Sequence, residues 1–242
     1  MTPRTGLARA LSKLGWCSRS QATVLIREGK VTLNGRTCRD PEQPVHLGRD
    51  HITVAAQTIQ QAPRYYLMLN KPRGLVTTAH DEHGRGTVFD CLRDAPLPHL
   101  SAVGRLDKAS EGLLLFTNDT TWAAHITDPA SHLPKTYHVQ VSAKVDGPLL
   151  KKLASGVTDR GEYLHLSRVH LLREGEKNCW LEIVLEEGRN RHIRRVLEAH
   201  HLGVLRLVRI AIGPLALGPL AKGQWRELSQ AEVLALAPMQ GS

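Results

Sequence analysis

The stretch Val103-Gly104-Arg105-Leu106-Asp107-Lys108-Ala109-Ser110-Glu111-Gly112-Leu113-Leu114-Leu115-Phe116 constrains the fold more than any other. Leu113 to Phe116 is a short continuous apolar run, the pattern of a buried strand. Ahead of it one short carboxylate, Asp107, stands between two cations, Arg105 and Lys108. Gly104 and Gly112 bracket it, where the backbone can turn sharply or approach another chain closely. An acid on a tight loop is thereby tied to a rigid core element, the usual setting for side chains that do chemistry. An Asp in such a loop also serves as a plain turn cap, so the flanking segments must decide.

At the N-terminal end, Leu7, Ala10, Leu11 and Leu14 recur at helical spacing, with Arg9 and Lys13 on another face and Gly15 as the stop. Ser18-Arg19-Ser20-Gln21 reads as a capping box opening a second helix that ends at Gly29. Val31-Thr32-Leu33, the turn Asn34-Gly35 and Arg36-Thr37-Cys38 form a predicted hairpin. Arg9, Lys13, Arg19, Arg27, Lys30 and Arg36 are candidate RNA contacts on this unit; a solvated charged surface on a structural module accounts for them equally well. Leu11 to Cys38 resembles the small RNA-binding module named after the fourth protein of the small ribosomal subunit, in which helix pair and hairpin grip folded RNA. Gln57 to Pro63, polar and ending in proline, reads as a linker. The expected division is therefore an RNA-binding module over 1–60 and a larger domain over 63–242.

Charge points the same way. The 242 residues carry 32 Lys plus Arg against 23 acids, a formal net charge of +9. Such an excess attracts polyanions, nucleic acid first among them. An anionic membrane surface is the rival, but no apolar stretch approaches the ~18 residues a span needs, and the first six residues lack the apolar segment of a secretory signal. Cys17, Cys38, Cys91 and Cys179 are scattered without a CxxC pair, as expected of reduced, mostly structural thiols in a cytoplasmic protein.

In the larger domain, Tyr65 to Asn70 reads as a strand, after which Pro72 leaves Lys71 on a loop. His80-Asp81-Glu82-His83 invites a metal reading, but Gly84 and Gly86 oppose the helix such ligands need, and no metal site is expected. Tyr137 to Val141 and Leu181 to Glu186 alternate as strands. Leu149, Leu150 and Leu153 predict a short helix stopped at Gly156. Gly188 to Leu197 carries four arginines in seven residues, predicted on a helix start with Arg191, Arg194 and Arg195 sharing a face. Val204 to Ile210 is a strand interrupted by Arg206 and Arg209, Trp225 to Leu228 a last short one, and Ser229 to Glu232 caps a terminal helix. Strands with a few intervening helices predict an α+β domain around a mostly antiparallel mixed sheet.

Asn70-Lys71-Pro72-Arg73-Gly74, Gly104-Arg105-Leu106-Asp107, Lys135-Thr136-Tyr137 and Gly188-Arg189-Asn190-Arg191-His192-Ile193-Arg194-Arg195 occur in the order seen in bacterial ribosomal RNA pseudouridine synthases, which the chain resembles from about Leu7 to Leu228. The resemblance implies an isomerase that breaks a uridine's bond to N1 and re-attaches the base through C5, with no cofactor. It implies ribosomal RNA or a pre-ribosomal particle as partner, large-subunit RNA ahead of small-subunit RNA, and a monomer by default. A non-catalytic RNA-binding assembly factor is the alternative. By the same resemblance Asp107 is the catalytic aspartate, Tyr137 the aromatic that packs on the target base, Arg194 the cation paired with the acid, and Leu207 the pocket floor. Arg105, Lys71, Arg189, Arg191 and Arg195 are candidate substrate contacts. Ala109 stands where many members carry a second acid, Ser110 replaces a usual Thr, and His192 replaces Gln or Glu, implying a mild pH dependence of binding.

The chemistry asks for these residue types. An Asp that attacks or stabilises a sugar must stay ionised in a pocket, which burial alone opposes; a guanidinium offsets that penalty because it stays charged and bonds in two directions. Sequence leaves open whether Asp107 meets ribose or base. Read without the resemblance, Tyr137 is a core tyrosine and the arginine cluster a generic anion site or exposed helix face.

Overall fold

Ser18 caps its helix as its sequence demands. Its Oγ accepts the Gln21 amide at 3.2 Å while the Ser18 amide donates to the Gln21 side chain at 3.0 Å. That satisfies two of the amides a helix start leaves bare, and the helix runs Arg19–Arg27 before Gly29 turns the chain at positive φ. A first helix, Leu7–Lys13, packs on it; Leu7, Leu11, Ala22 and Ile26 share one core with Val31, Ile52 and Val54. Val31–Leu33 and Arg36–Thr37 pair antiparallel across Asn34 and Gly35, both at positive φ, as a two-residue hairpin turn requires. The computed structural model that shows this describes residues 4–79 and 81–237.

The expected linker is shorter than its composition indicates. Gln57–Thr58 is a strand, paired with Ile52–Val54, which pairs in turn with Val31–Leu33. The hairpin is thus half of a four-stranded sheet. Polar residues beside a proline looked like coil because an edge strand this short has no periodicity to read. Arg9, Lys13, Arg19, Arg27, Lys30 and Arg36 are all exposed, Lys30 in an ion pair with Glu28 at 2.7 Å.

Contacts divide the chain into two units. One takes in the chain up to Tyr66 together with Ala95–Ser101 and Phe116–Thr120; the other comprises Leu67–Asp94, Ala102–Leu115 and the chain from Thr121 on. The second is built on a long sheet whose strand order is Arg168–Glu174, Cys179–Leu185, Lys135–Val141, Val204–Ile212, Glu111–Thr117, Tyr66–Lys71, Trp225–Glu227. Lys135–Val141 pairs antiparallel on both sides, whereas Val204–Ile212 runs parallel to Glu111–Thr117. The α+β, mixed-sheet expectation therefore holds. Every residue of Glu111–Thr117 is buried, which explains its unbroken apolar run.

Alternation decides which sheet face is covered. Val139, Val141, Leu181, Ile183 and Leu207 point into one core, closed by Leu153 of the helix Gly147–Ala154 and by Ile193, Val196 and Leu197 of the helix His192–Ala199. Asp146 caps the former by accepting the Leu149 amide at 2.9 Å. The strand Arg168–Glu174 went unread because neither its charges nor its apolar residues keep a clean period. Among the described residues no helix is long and apolar enough to cross a membrane. Cys17 and Cys179 are buried free thiols, and burial pushes both thiol pKa values up.

Candidate active site

The loop carrying Asp107 is held by its own carbonyls. Gly104, at φ +71, turns the chain out of the strand Ser101–Val103. Asp107 O accepts the Ser110 amide at 2.9 Å, Lys108 O accepts the Gly74 amide at 2.7 Å, and Ala109 O faces Arg194 Nη2 at 3.4 Å. Lys71 supplies the rest. Its Nζ donates to Ser110 O at 2.8 Å, Pro72 O at 3.1 Å and Asp107 O at 3.3 Å. Thr77 adds a reciprocal pair with Leu106, 2.7 and 3.2 Å. With the backbone this committed, the Asp107 carboxylate is left to face outward; its side chain is 41% exposed.

Lys71 is therefore not the loop residue or substrate contact expected of it. It ends the strand Tyr66–Lys71 and is wholly buried, among the largest fully buried side chains of the described residues. Burial pushes its ammonium down to about 8, against the pull of Asp107 and Glu111. Pro72 does end the strand, but one residue later than the sequence reading placed it.

A cavity of about 260 Å³ opens in front of the carboxylate. Arg105, Asp107, Tyr137, Arg189, Arg191, Arg194 and Leu207 all line it, drawn from separate parts of the chain. Arg194 comes from the first turn of His192–Ala199 and is 8% exposed. Its Nε lies 4.0 Å from Asp107 Oδ2 and has no hydrogen bond among the described residues. Burial and then Arg191 lower its pKa while Asp107 raises it, yet an arginine remains charged throughout. Tyr137 is half-buried and paired through its backbone with Ile183 on one side and Arg209 on the other. Leu207 lines the cavity with an apolar side chain, 5% exposed.

Arg195 belongs elsewhere. Its guanidinium donates to Asp159 Oδ2, to Asp159 O at 2.8 Å and to Glu162 Oε2 at 2.6 Å, pinning the hairpin Val157–Asp159/Glu162–Leu164. The helix begins only at His192, with Arg191 in the left-handed region at φ 50, so Arg191, Arg194 and Arg195 do not share one face. His192 is 3% exposed, and burial holds its pKa below the ordinary 6.5 despite Glu187 nearby. The imidazole is thus neutral at physiological pH, and the pH effect expected of it moves to more acidic conditions. Of the His80–His83 cluster, His80 lies outside the described residues. Asp81 is engaged by Arg85 at 2.6 Å, and no metal-holding group of ligands occurs among the described residues.

Two cationic residues of the cavity, Lys135 and Arg209, are not among the site residues expected from the sequence. A usable signal existed: in a strand with period 2, Arg209 must share a face with Leu207, while Arg206 faces away. Arg206 indeed goes to the other side, donating to both oxygens of buried Glu111 at 3.0 and 2.9 Å, with Lys222 at 2.7 Å. Burial draws Glu111 upward, but these bonds outweigh it and its pKa ends below the ordinary carboxylate value.

A carboxylate on a held loop, set against a guanidinium, an aromatic side chain and a basic rim, suits carboxylate chemistry on a polyanion bearing flat rings. Comparison with known proteins narrows this. Residues 65–199 match the RNA pseudouridylate synthase family and residues 5–51 the S4 domain. An RNA pseudouridine synthase of Aquifex aeolicus is 38% identical over 227 residues, 93% of this chain and 91% of that protein. The ribosomal large subunit pseudouridine synthase B of Bacillus subtilis is 34% identical over 232 residues, 95% and 94% of the two chains. A crystal structure of a pseudouridylate synthase superimposes with a TM-score of 0.66 at 30% identity, covering 96% of this chain and 99% of that one. The chain belongs to the RNA pseudouridine synthase family, isomerases acting on RNA, and carries an N-terminal S4 domain.

Proposed function

We propose that this pseudouridine synthase acts in the cytoplasm on ribosomal RNA, that of the large subunit, with Asp107 as its catalytic group. The observation that carries the reading is the placement of the Asp107 carboxylate on a loop held by its backbone carbonyls, 4.0 Å from Arg194 in a cavity that Tyr137 also lines. The name borne by the Bacillus subtilis relative, a ribosomal large subunit pseudouridine synthase, supports the substrate.

In this reading the target uridine leaves its stack at a cost of a few kcal/mol. Packing on Tyr137 returns ~1–3 kcal/mol. The two nearly cancel, so affinity comes from phosphates held by Arg105, Arg189 and Arg191 at the rim and by the exposed cations of residues 1–60, leaving 63–242 to do the chemistry. Asp107 meets the anomeric carbon as the bond to N1 breaks, with the Arg194 guanidinium set against its carboxylate at 4.0 Å. No cofactor enters this reading.

The test is Asp107→Asn. The variant should bind large-subunit ribosomal RNA as wild type does and form no pseudouridine in it, and mapping pseudouridines in cells lacking the protein identifies the target. Activity near wild type in Asp107→Asn would falsify the assignment.

A further inference from the structure

Among the described residues, Arg209 is a cation without a counter-charge on its free end. Its side chain lies on the Leu207 face of the Val204–Ile212 strand and is 6% exposed. Nε donates to Leu113 O at 2.7 Å, which fixes the guanidinium plane. Nη2 is buried and has no hydrogen-bond partner among the described residues. The backbone of Arg209 cannot drift, because Gly112 packs flat against it: a Cβ at 112 would lie 2.2 Å from Arg209 O. On the adjoining strand sits a second cation of the same cavity wall, half-buried Lys135, two residues from Tyr137. Burial and the charge of Arg209 both push the Lys135 ammonium below its ordinary value. Two neighbouring, partly desolvated cations are costly unless an anion joins them.

Which anion joins them follows from depth. Phosphates stay with the RNA chain and suit the exposed arginines of the rim. Arg209 lies inside, its backbone paired with that of Tyr137, where the ring of the extruded base goes. Uracil is neutral on arrival, but when its bond to C1′ breaks the electron pair leaves with the base, and negative charge spreads over N1, O2 and O4. Donors placed where charge develops are worth most in a water-poor site.

We propose that Arg209, assisted by Lys135, binds the detached uracil as an anion between its release from C1′ and its re-attachment. The proposal rests on Asp107 chemistry at this site. The Asp107 carboxylate bonds to C1′ as N1 departs. The held uracil anion turns, C5 bonds to C1′ and the carboxylate is expelled. The proton lost from C5 is balanced by the one gained at N1, so no further reactant is needed.

The experiment is single-turnover loss of the uridine N-glycosidic bond by the full-length protein, on a transcript of the mapped target region made with uridine or 5-fluorouridine. Fluorine withdraws electrons and stabilises the departing anion without touching the phosphates. Arg209→Gln should slow the uridine reaction by on the order of a hundred-fold, leave RNA affinity close to wild type, and regain about tenfold of that deficit with 5-fluorouridine, since part of the missing stabilisation is restored. Arg209→Lys should fall between, keeping the charge but losing the fork. Lys135→Gln, at a less buried position, should show a smaller defect with the same fluorine rescue, and it carries the test if Arg209→Gln does not fold. A deficit of equal size on both transcripts, or a loss confined to RNA affinity with the saturated rate intact, overturns the proposal. Wild-type protein inactive on the uridine transcript would instead overturn the reading of Asp107.

Discussion

Lys71 Nζ lies 3.3 Å from the main-chain oxygen of Asp107 and spends its other bonds on Pro72 O and Ser110 O. It holds the loop by its backbone and leaves the Asp107 side chain unclaimed. The proline that follows it ends the strand Tyr66–Lys71.

Replacing Lys71 with Met should therefore damage both stability and rate. Each carbonyl left bare in the interior costs about 1–3 kcal/mol, and the freed loop loses its placement of Asp107. The pH dependence has a definite sign. With the ammonium at about 8 in the fold against an ordinary 10.5, the unfolded chain holds a proton that the folded chain has dropped between those values. Wild-type stability relative to Lys71→Met should thus be flat below pH 8 and rise from 8 to 10.5. Urea titrations of both proteins across that range check it; a difference that falls over the window would refute the burial argument.

Arg194→Met should lower the single-turnover rate at least on the order of a hundred-fold while RNA affinity, set at the rim, stays near wild type. Arg194→Lys should recover only part of the loss, because an ammonium cannot both face Asp107 and reach Ala109 O as the planar fork does.

Gly112→Ala tests the close approach of two strands. Residue 112 sits at φ +100, a conformation costing about 1–3 kcal/mol for a residue with a Cβ. The collision with Arg209 O adds to that. The variant should unfold at distinctly lower urea, and a midpoint equal to wild type would show that the parallel pairing relaxes freely.

Arg195→Ala should separate structure from binding. Its bonds to Asp159 and Glu162 are internal, so the variant should melt at lower temperature yet bind RNA with an unchanged salt slope. A reduced slope would return Arg195 to the substrate contacts.

Neutralising Arg9, Arg19 and Arg27 together, all exposed, should reduce the slope of log K against log salt by roughly one for each phosphate that is no longer neutralised. Equilibrium binding to large-subunit ribosomal RNA at several salt concentrations measures it, and an unchanged slope would remove that face from the RNA interface.

Local signals carried the sequence reading where a residue's role depends on its near neighbours. Ser18 with Gln21, Ser229 with Glu232, Asn34-Gly35 and the alternation from Tyr137 to Val141 each specify a cap, a turn or a strand within a few positions, and each appears where it was read. The same locality failed at Lys71 and Arg195. A lysine beside a proline and an arginine in a basic run look solvent-bound until strands and hairpins from far along the chain close over them.

By itself, then, the sequence determined the capped helices, the Asn34-Gly35 hairpin, the alternating strands, the α+β class and the loop that presents Asp107, because capping, turn chemistry and apolar period are short-range. Tertiary structure alone decided which cations face the carboxylate. Register between Lys135–Val141 and Val204–Ile212 set Arg209 against Tyr137, the turn of His192–Ala199 brought Arg194 to 4.0 Å from Asp107, and burial withdrew Lys71 and Arg195. A charge's partner is whatever the fold brings within a few ångströms, and that distance is not written in the spacing along the chain.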